Sequence, residues 1–218
     1  MAFTDDFDGE GTDANLEDHT PSGGTAWSLI SGGAGSAKCT TAGEVEGNSS
    51  GDAEYNCDDQ ADADHYAIHR SKLLGSSLPD SFVACRLADT NNFIGWRLFG
   101  SGAAGRRLSK RVSGTITDLI TSQGVDKEWI KVEVEGSTAR LYEGGTGASP
   151  SWTQVSTDQT FSDDTTTTTQ GLMISNVYGA AGWIDDFEAG VLGGGGGATG
   201  KCNPLHGPLG GPLYGAIA

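Results

Sequence analysis

Basic residues are scarce: 13 Lys and Arg stand against 29 Asp and Glu in 218 residues, a formal net charge of −16. Such an excess repels a polyanion before contact, so nucleic acid is not an expected partner. One local exception is Arg106, Arg107, Lys110 and Arg111, which flanking Gly and Ser mark as a solvated loop or hairpin end. No run approaches the ~18 apolar residues of a membrane-spanning helix, and no membrane partner is expected. Met1 to Asp8 lack the basic and apolar regions of a secretory signal, which points to synthesis without export. Cysteine is limited to Cys39, Cys57, Cys85 and Cys202. Four cysteines permit three pairings, and spacing selects none of them. Their separations fit no zinc motif. Cys39 and Cys57 could face each other across a hairpin, Cys85 reads as a small buried hydrophobe between Val83 and Leu87, and free thiols are the default.

What the chain has is alternation. Ile130, Val132 and Val134 interleave with Lys131, Glu133 and Glu135, the pattern of a strand with one buried and one solvated face. Segments 25–30, 52–57, 65–70, 81–88, 93–99, 106–112, 116–121, 140–143, 170–177 and 182–189 read likewise. Between them stand glycine-bearing punctuators such as Gly32-Gly33, Ser113-Gly114 and Gly144 to Gly147, residues that accept the positive φ of hairpin turns. Ten or more short strands and no helix predict an all-β antiparallel sandwich or barrel.

The composition changes at Gly190. Residues 190–200 hold seven glycines, five of them consecutive, which reads as a flexible linker. The expected organisation is a sandwich over 1–191, a Gly-rich linker over 192–200 and an arm over 201–218. In the arm a tetrapeptide occurs three times: Pro204-Leu205-His206-Gly207, Pro208-Leu209-Gly210-Gly211 and Pro212-Leu213-Tyr214-Gly215. Pro fixes φ and Gly admits a turn, so the arm is extended. Its leucines, with Pro204, Pro208, Pro212 and Tyr214, are the expected docking residues for a partner's groove.

From Tyr66 to Glu188 the order of segments resembles the concanavalin A-like, laminin G-like jelly roll. The carriers are Phe82 to Leu98, Trp129 to Tyr142 and Gly182 to Glu188, with Phe3-Thr4-Asp5-Asp6-Phe7 as the matching first strand. The resemblance covers about residues 3–190 and implies a two-sheet antiparallel jelly-roll sandwich whose closing strand lies beside the first. It implies no single activity, because the architecture hosts lectins, glycoside hydrolases, adhesion modules and virion proteins.

Phe3, Asp5 and Phe7 share one face of the first strand, and Trp183, Asp185 and Phe187 one face of the last. If those faces point inward, the carboxylates need hydrogen bonds or a cation. Calcium on Asp5, Asp6, Asp185 and Asp186 is the candidate, against a bulge that turns the acids outward or backbone N–H groups that satisfy them. Relatives that cleave β-glucans carry Glu-x-Asp-x-x-Glu on one strand; the nearest text, Asp185-Asp186-Phe187-Glu188, lacks the first Glu. Glu133 and Glu135 read as a solvated strand surface. His65 and His69 share a strand face yet stand roughly 13 Å apart, too far for a common metal. The expectation is therefore a chain that is not an enzyme. On β-alternation Phe93, Arg97 and Phe99 face opposite to Ile94, Trp96 and Leu98, and they are the candidate glycan-binding residues.

These observations favour a bacteriophage virion structural protein, displaying a lectin-like sandwich and attached through its arm to a capsid or tail protein or to identical subunits. A host glycan is a possible further ligand under that expectation. The alternatives are a secreted or surface carbohydrate-binding module and a glycoside hydrolase relative.

Overall fold

The computed structural model describes residues 3–8, 13–24, 26–33, 35–47, 52–57, 62–71, 80–98, 105–123, 128–145, 148–175 and 184–193. Among them the strands are, in chain order, β1 (Phe3–Asp5), β2 (Ala14–Asn15), β3 (Ser28–Ser31), β4 (Ala37–Cys39), β5 (Val45–Gly47), β6 (Asp52–Asn56), β7 (His65–Ser71), β8 (Asp80–Asp89) and β9 (Asn92–Leu98). They continue with β10 (Gly105–Val112), β11 (Thr115–Gln123), β12 (Trp129–Glu135), β13 (Thr138–Gly145), β14 (Thr153–Gln154), β15 (Gln159–Thr160), β16 (Gly171–Ser175) and β17 (Ile184–Val191). A single 3-10 turn, Leu16–Asp18, is the one helical element among the described residues. No helix there is long and apolar enough to cross a membrane.

The strands form two antiparallel sheets. The ten-stranded sheet runs β14-β13-β12-β7-β17-β5-β4-β2, with β1 paired to β17 and β15 to β13. The seven-stranded sheet runs β11-β10-β9-β8-β16-β6-β3. The all-β two-sheet sandwich expected from the sequence is the observed fold, with the closing strand beside the first: Phe3 lies opposite Ala189 and Asp5 opposite Phe187.

Alternation builds the core. Val83, Cys85, Ile94, Leu108, Leu172 and Ile174 project from the smaller sheet, and Ala67, Ile130, Val132, Val134, Leu141 and Phe187 from the larger, into one buried cluster. Burial of each large aliphatic or aromatic side chain is worth about 1.5–3 kcal/mol, and this is the principal term holding the sheets together. Backbone crowding is tightest at Gly171, where a Cβ would collide with the Tyr55 carbonyl oxygen of the neighbouring β6. Strands β2, β4, β5, β14 and β15, two or three residues each, are too short to show alternation.

Two expectations change on the structure and a third is narrowed. Glu133 is buried while Glu135 is exposed, because Lys131 Nζ donates to Glu133 at 2.7 Å and lies 4.2 Å from the Tyr142 ring, so this outer face is partly covered. Of the two expectations for the cations from Arg107 to Arg111, loop or hairpin end, the structure has the hairpin: they lie in strand β10, paired with β11. In β17 a register shift between Asp185 and Phe187 breaks the alternation: Ile184 and Phe187 are buried, while Asp185 and Asp186 are half-buried on the outside. Cys39, Cys57 and Cys85 are buried, and burial pushes the Cys85 thiol far above its ordinary value. Of the expected linker and arm, residues 192–218, all from 194 onward lie outside the described residues, and with them Cys202.

Candidate functional site

The same alternation that buries Val83 and Ile94 places Phe82, Ala84, Phe93 and Met173 on the opposite, outer face of the smaller sheet. There they form a second apolar cluster with Leu87 and Ile30. The Phe82 and Phe93 rings meet edge to face at 5.6 Å. Phe93 is only 6% exposed, which corrects its expected role as an open stacking platform: it faces outward, but its neighbours on that face cover the ring. Arg97 occupies a β9 position opposite Arg107 on β10 and Phe82 on β8. The Arg97 side chain and all of Phe99 lie outside the described residues.

A pocket of about 310 Å³ opens where β9 begins and β10 ends. Register places Lys110 opposite Ile94 and Arg111 opposite Phe93, so two cations flank an apolar pair. Asn92, Val112, Arg86, Asp163 and Asp164 complete the lining. Lys110 Nζ donates to Asp163. Asp164 is fixed by its own turn: Oδ1 accepts from the backbone N–H groups of Thr166 and Thr167 at 2.8 and 3.1 Å. Burial raises the pKa of the Asp164 carboxyl, but hydrogen bonds from Thr167 and Thr166 outweigh this and hold it below its ordinary value.

Arg86 anchors the back of this region. It follows the buried Cys85 on β8, has a positive φ of 48°, and sits at a register shift in the β8–β9 pairing. Its buried guanidinium donates to the carbonyls of Gly136 at 2.6 Å, Asp164 at 2.9 Å and Ala63 at 3.0 Å, and lies 5.2 Å from the centre of the Phe161 ring. Its own N–H donates to His65 Nε2 at 3.1 Å, leaving His65 Nδ1–H for the Asp62 carbonyl. Burial therefore pulls the His65 pKa down to about 4. His69 is likewise buried on that inner face of β7.

Asp5 parts from the other acids of the terminal strands, while Asp6 and Asp8 lie near enough to Asp186 to raise its pKa. Asp5 points inward with Phe3 and Phe7 and is satisfied there: Oδ1 accepts from His19 Nε2–H and from the Phe7 N–H, both at 2.9 Å, and Oδ2 accepts from Trp27 Nε1–H at 2.6 Å. Asp6 is exposed. On the outer side, Asp185 accepts from Arg70 at 2.9 Å, and Asp186 lies 3.7 Å from the same guanidinium. Burial, then Asp186, pushes the Asp185 carboxyl up to about 6; burial also raises Asp186. Among the described residues no group of three or more His, Cys, Asp or Glu could hold a metal ion. The calcium expectation for Asp5, Asp6, Asp185 and Asp186 is corrected accordingly: protein donors satisfy Asp5, and the β17 bulge turns the last two away from it.

Apart from Phe93, the pocket residues were not singled out by sequence as a site. The visible signals were four cations in six residues at 106–111 and the Asp163-Asp164 pair, but nothing in the sequence joins them. The docking candidates Pro204, Leu205, Pro208, Leu209, Pro212, Leu213 and Tyr214 lie outside the described residues.

No protein-family profile matches the chain, and no curated protein matches it. Solved structures do. A GH43 protein, BlXynB from Bacillus licheniformis, is similar at a TM-score of 0.60 and 14% identity, over 87% of this chain and 39% of that one. The xylan beta-1,4-xylosidase of Bacillus halodurans gives 0.51 and 16%, over 68% of this chain and 33% of that one. The carbohydrate binding module CBM66 of Bacillus subtilis gives 0.50 and 16%, over 73% of this chain and 91% of that one. The chain thus spans about two fifths or less of the length of the two enzymes. The expectation that it is not an enzyme is corrected by these likenesses, since glycoside hydrolases are among the structures that share its fold. At identities this low the likeness shows architecture, and that architecture is a jelly-roll sandwich of the concanavalin A-like kind, found in carbohydrate-binding modules and in glycoside hydrolases alike.

Proposed function

We propose that the chain is a carbohydrate-recognition domain whose saccharide occupies the pocket where β9 begins and β10 ends. The observation that carries this is the pairing, in one cavity of about 310 Å³, of an apolar wall, Phe93 and Ile94, with the polar heads of Lys110, Arg111 and Asp163. Sugars present the same duality, apolar C–H patches beside hydroxyls that donate and accept. The volume is at the small end of the ~300–1,000 Å³ typical of ligand pockets, suited to one or two sugar units. The likeness to CBM66, nearly the whole of which is covered, supports this assignment.

A glycan array followed by calorimetry on the best binder tests it. Lys110→Ala removes a donor from the pocket and is expected to weaken binding roughly tenfold, the cost of about one charge-assisted hydrogen bond. Binding by the wild type that Lys110→Ala leaves untouched would place the saccharide elsewhere. Chromatography of the recovered saccharide distinguishes recognition from cleavage. Display of this domain on a virion through residues 201–218 is an accompanying proposal, supported by the threefold Pro-Leu-x-Gly repeat.

A further inference from the structure

Three cations, Arg86, Lys110 and Arg111, line this pocket, two of them from one hairpin. Hairpin β10–β11 carries Arg106, Arg107, Lys110 and Arg111 against the single carboxylate of Asp118, in a protein of net charge −16. At physiological salt the screening length is about 8 Å, so a ligand in the pocket responds mainly to the charges that line it, Arg86, Lys110 and Arg111 with Asp163 and Asp164.

The cations differ in how far they are engaged. Arg107 donates to Asp118 at 2.6 Å, and Lys110 to Asp163. Arg111 is held loosely: its Nε reaches the Gly114 carbonyl at 3.4 Å, and its Nη1 stands 3.7 Å from Glu54 Oε1. Both exceed the ~2.7–2.9 Å of a strong charge-assisted hydrogen bond. The Arg111 side chain is 28% exposed and that of Glu54 only 5%, so the face of the pair open to solvent is the guanidinium. The two pocket acids compete little for it, since Asp163 is bonded to Lys110 and Asp164 to Thr166 and Thr167.

We infer that Arg111 makes the pocket selective for saccharides bearing a carboxylate, that is, for uronic acid units. This rests on the proposal above that the pocket holds a sugar. A planar carboxylate matches the guanidinium fork and takes two parallel N–H donors, replacing the long contact to Glu54. The sugar ring packs against the edge of Phe93, and Lys110, with two further N–H donors, and Asp163 take its hydroxyls.

Calorimetry with oligogalacturonate and with its methyl ester, which keeps the ring and removes the charge, tests the inference. The wild type should bind the acid about ten- to a hundredfold more tightly than the ester, the range of a charge-assisted hydrogen bond. Arg111→Gln should abolish that preference, so that acid and ester bind with equal affinity. Glu54→Gln, which removes the competing carboxylate, should tighten acid binding. Because Arg111→Gln removes a cation from beside the buried Glu54, the double variant Glu54→Gln/Arg111→Gln is measured beside it, with thermal melting as the check on folding. Equal affinity of the wild type for acid and ester overturns the uronate inference and leaves the saccharide assignment standing. Equal affinity for a sulfated neutral oligosaccharide overturns the carboxylate specificity. Binding of neither form while neutral glycans bind also overturns the inference. If no glycan binds at all, the saccharide assignment falls first and takes this inference with it.

Discussion

Two buried polar side chains, Asp5 and Arg86, hold more of the fold in place than their exposed counterparts. Asp5 accepts three hydrogen bonds, so Asp5→Ala leaves His19, Trp27 and the Phe7 N–H without their acceptor; a loss of about 3–5 kcal/mol is expected in urea unfolding. Asp5→Asn keeps one acceptor oxygen and should cost clearly less. Arg86 ties three carbonyls from three different segments to the end of the sandwich, and Arg86→Met orphans all three while retaining apolar bulk. A loss of at least ~3 kcal/mol is expected, with weakened saccharide binding, because the Asp164 carbonyl is one of the three and its carboxyl lines the pocket. The inward side of Asp5 was legible from its spacing with Phe3 and Phe7. Its partners were not, since His19 and Trp27 lie 14 and 22 residues away and no local pattern joins them. Arg86 was invisible for a related reason: its role depends on a positive φ and a register shift, both set by the neighbouring strands.

At the level of strands, the long elements were legible wherever one face is buried and the other wet. In β13 half-buried and buried residues alternate from Thr138 to Tyr142. The departures occur where both faces are covered, as at Phe93, or where a bulge resets the pattern, as in β17. A period-two text cannot announce either event, because each depends on what packs above the strand. The outward side of Phe93 was therefore legible, but the cover that its neighbours give the ring was not. Packing between β6 and β16 allows a direct check: Gly171→Ala drives a methyl group into the Tyr55 carbonyl and is expected to abolish folding or cost several kcal/mol. A melting temperature within a few degrees of wild type would show that these two strands separate more easily than their register indicates.

For the molecule as a whole, acid stability reflects two opposing groups. His65 has its folded pKa lowered to about 4 from 6.5, so below pH 6.5 the unfolded state binds the extra proton and stability falls toward pH 4. The full effect is on the order of 3 kcal/mol. Asp185 has its folded pKa raised to about 6 from 3.8, so stability rises as pH drops through the same window, by less, because the group is about one third exposed. Wild-type stability should decline only gently from pH 6.5 to 4, and Asp185→Asn should make the decline steeper; urea unfolding at several pH values reads both. Truncation after Gly193 should leave that profile unchanged and, if the arm docks as proposed, should abolish self-association or particle attachment in sedimentation. One further consequence follows from the pairing of β1 with β17. Phe3 and Ala189 are ladder partners, so polypeptide enters and leaves the sandwich within about 5 Å. A body with such adjoining portals can be spliced into a surface loop of an unrelated scaffold, or permuted by joining the two, without prying either framework open.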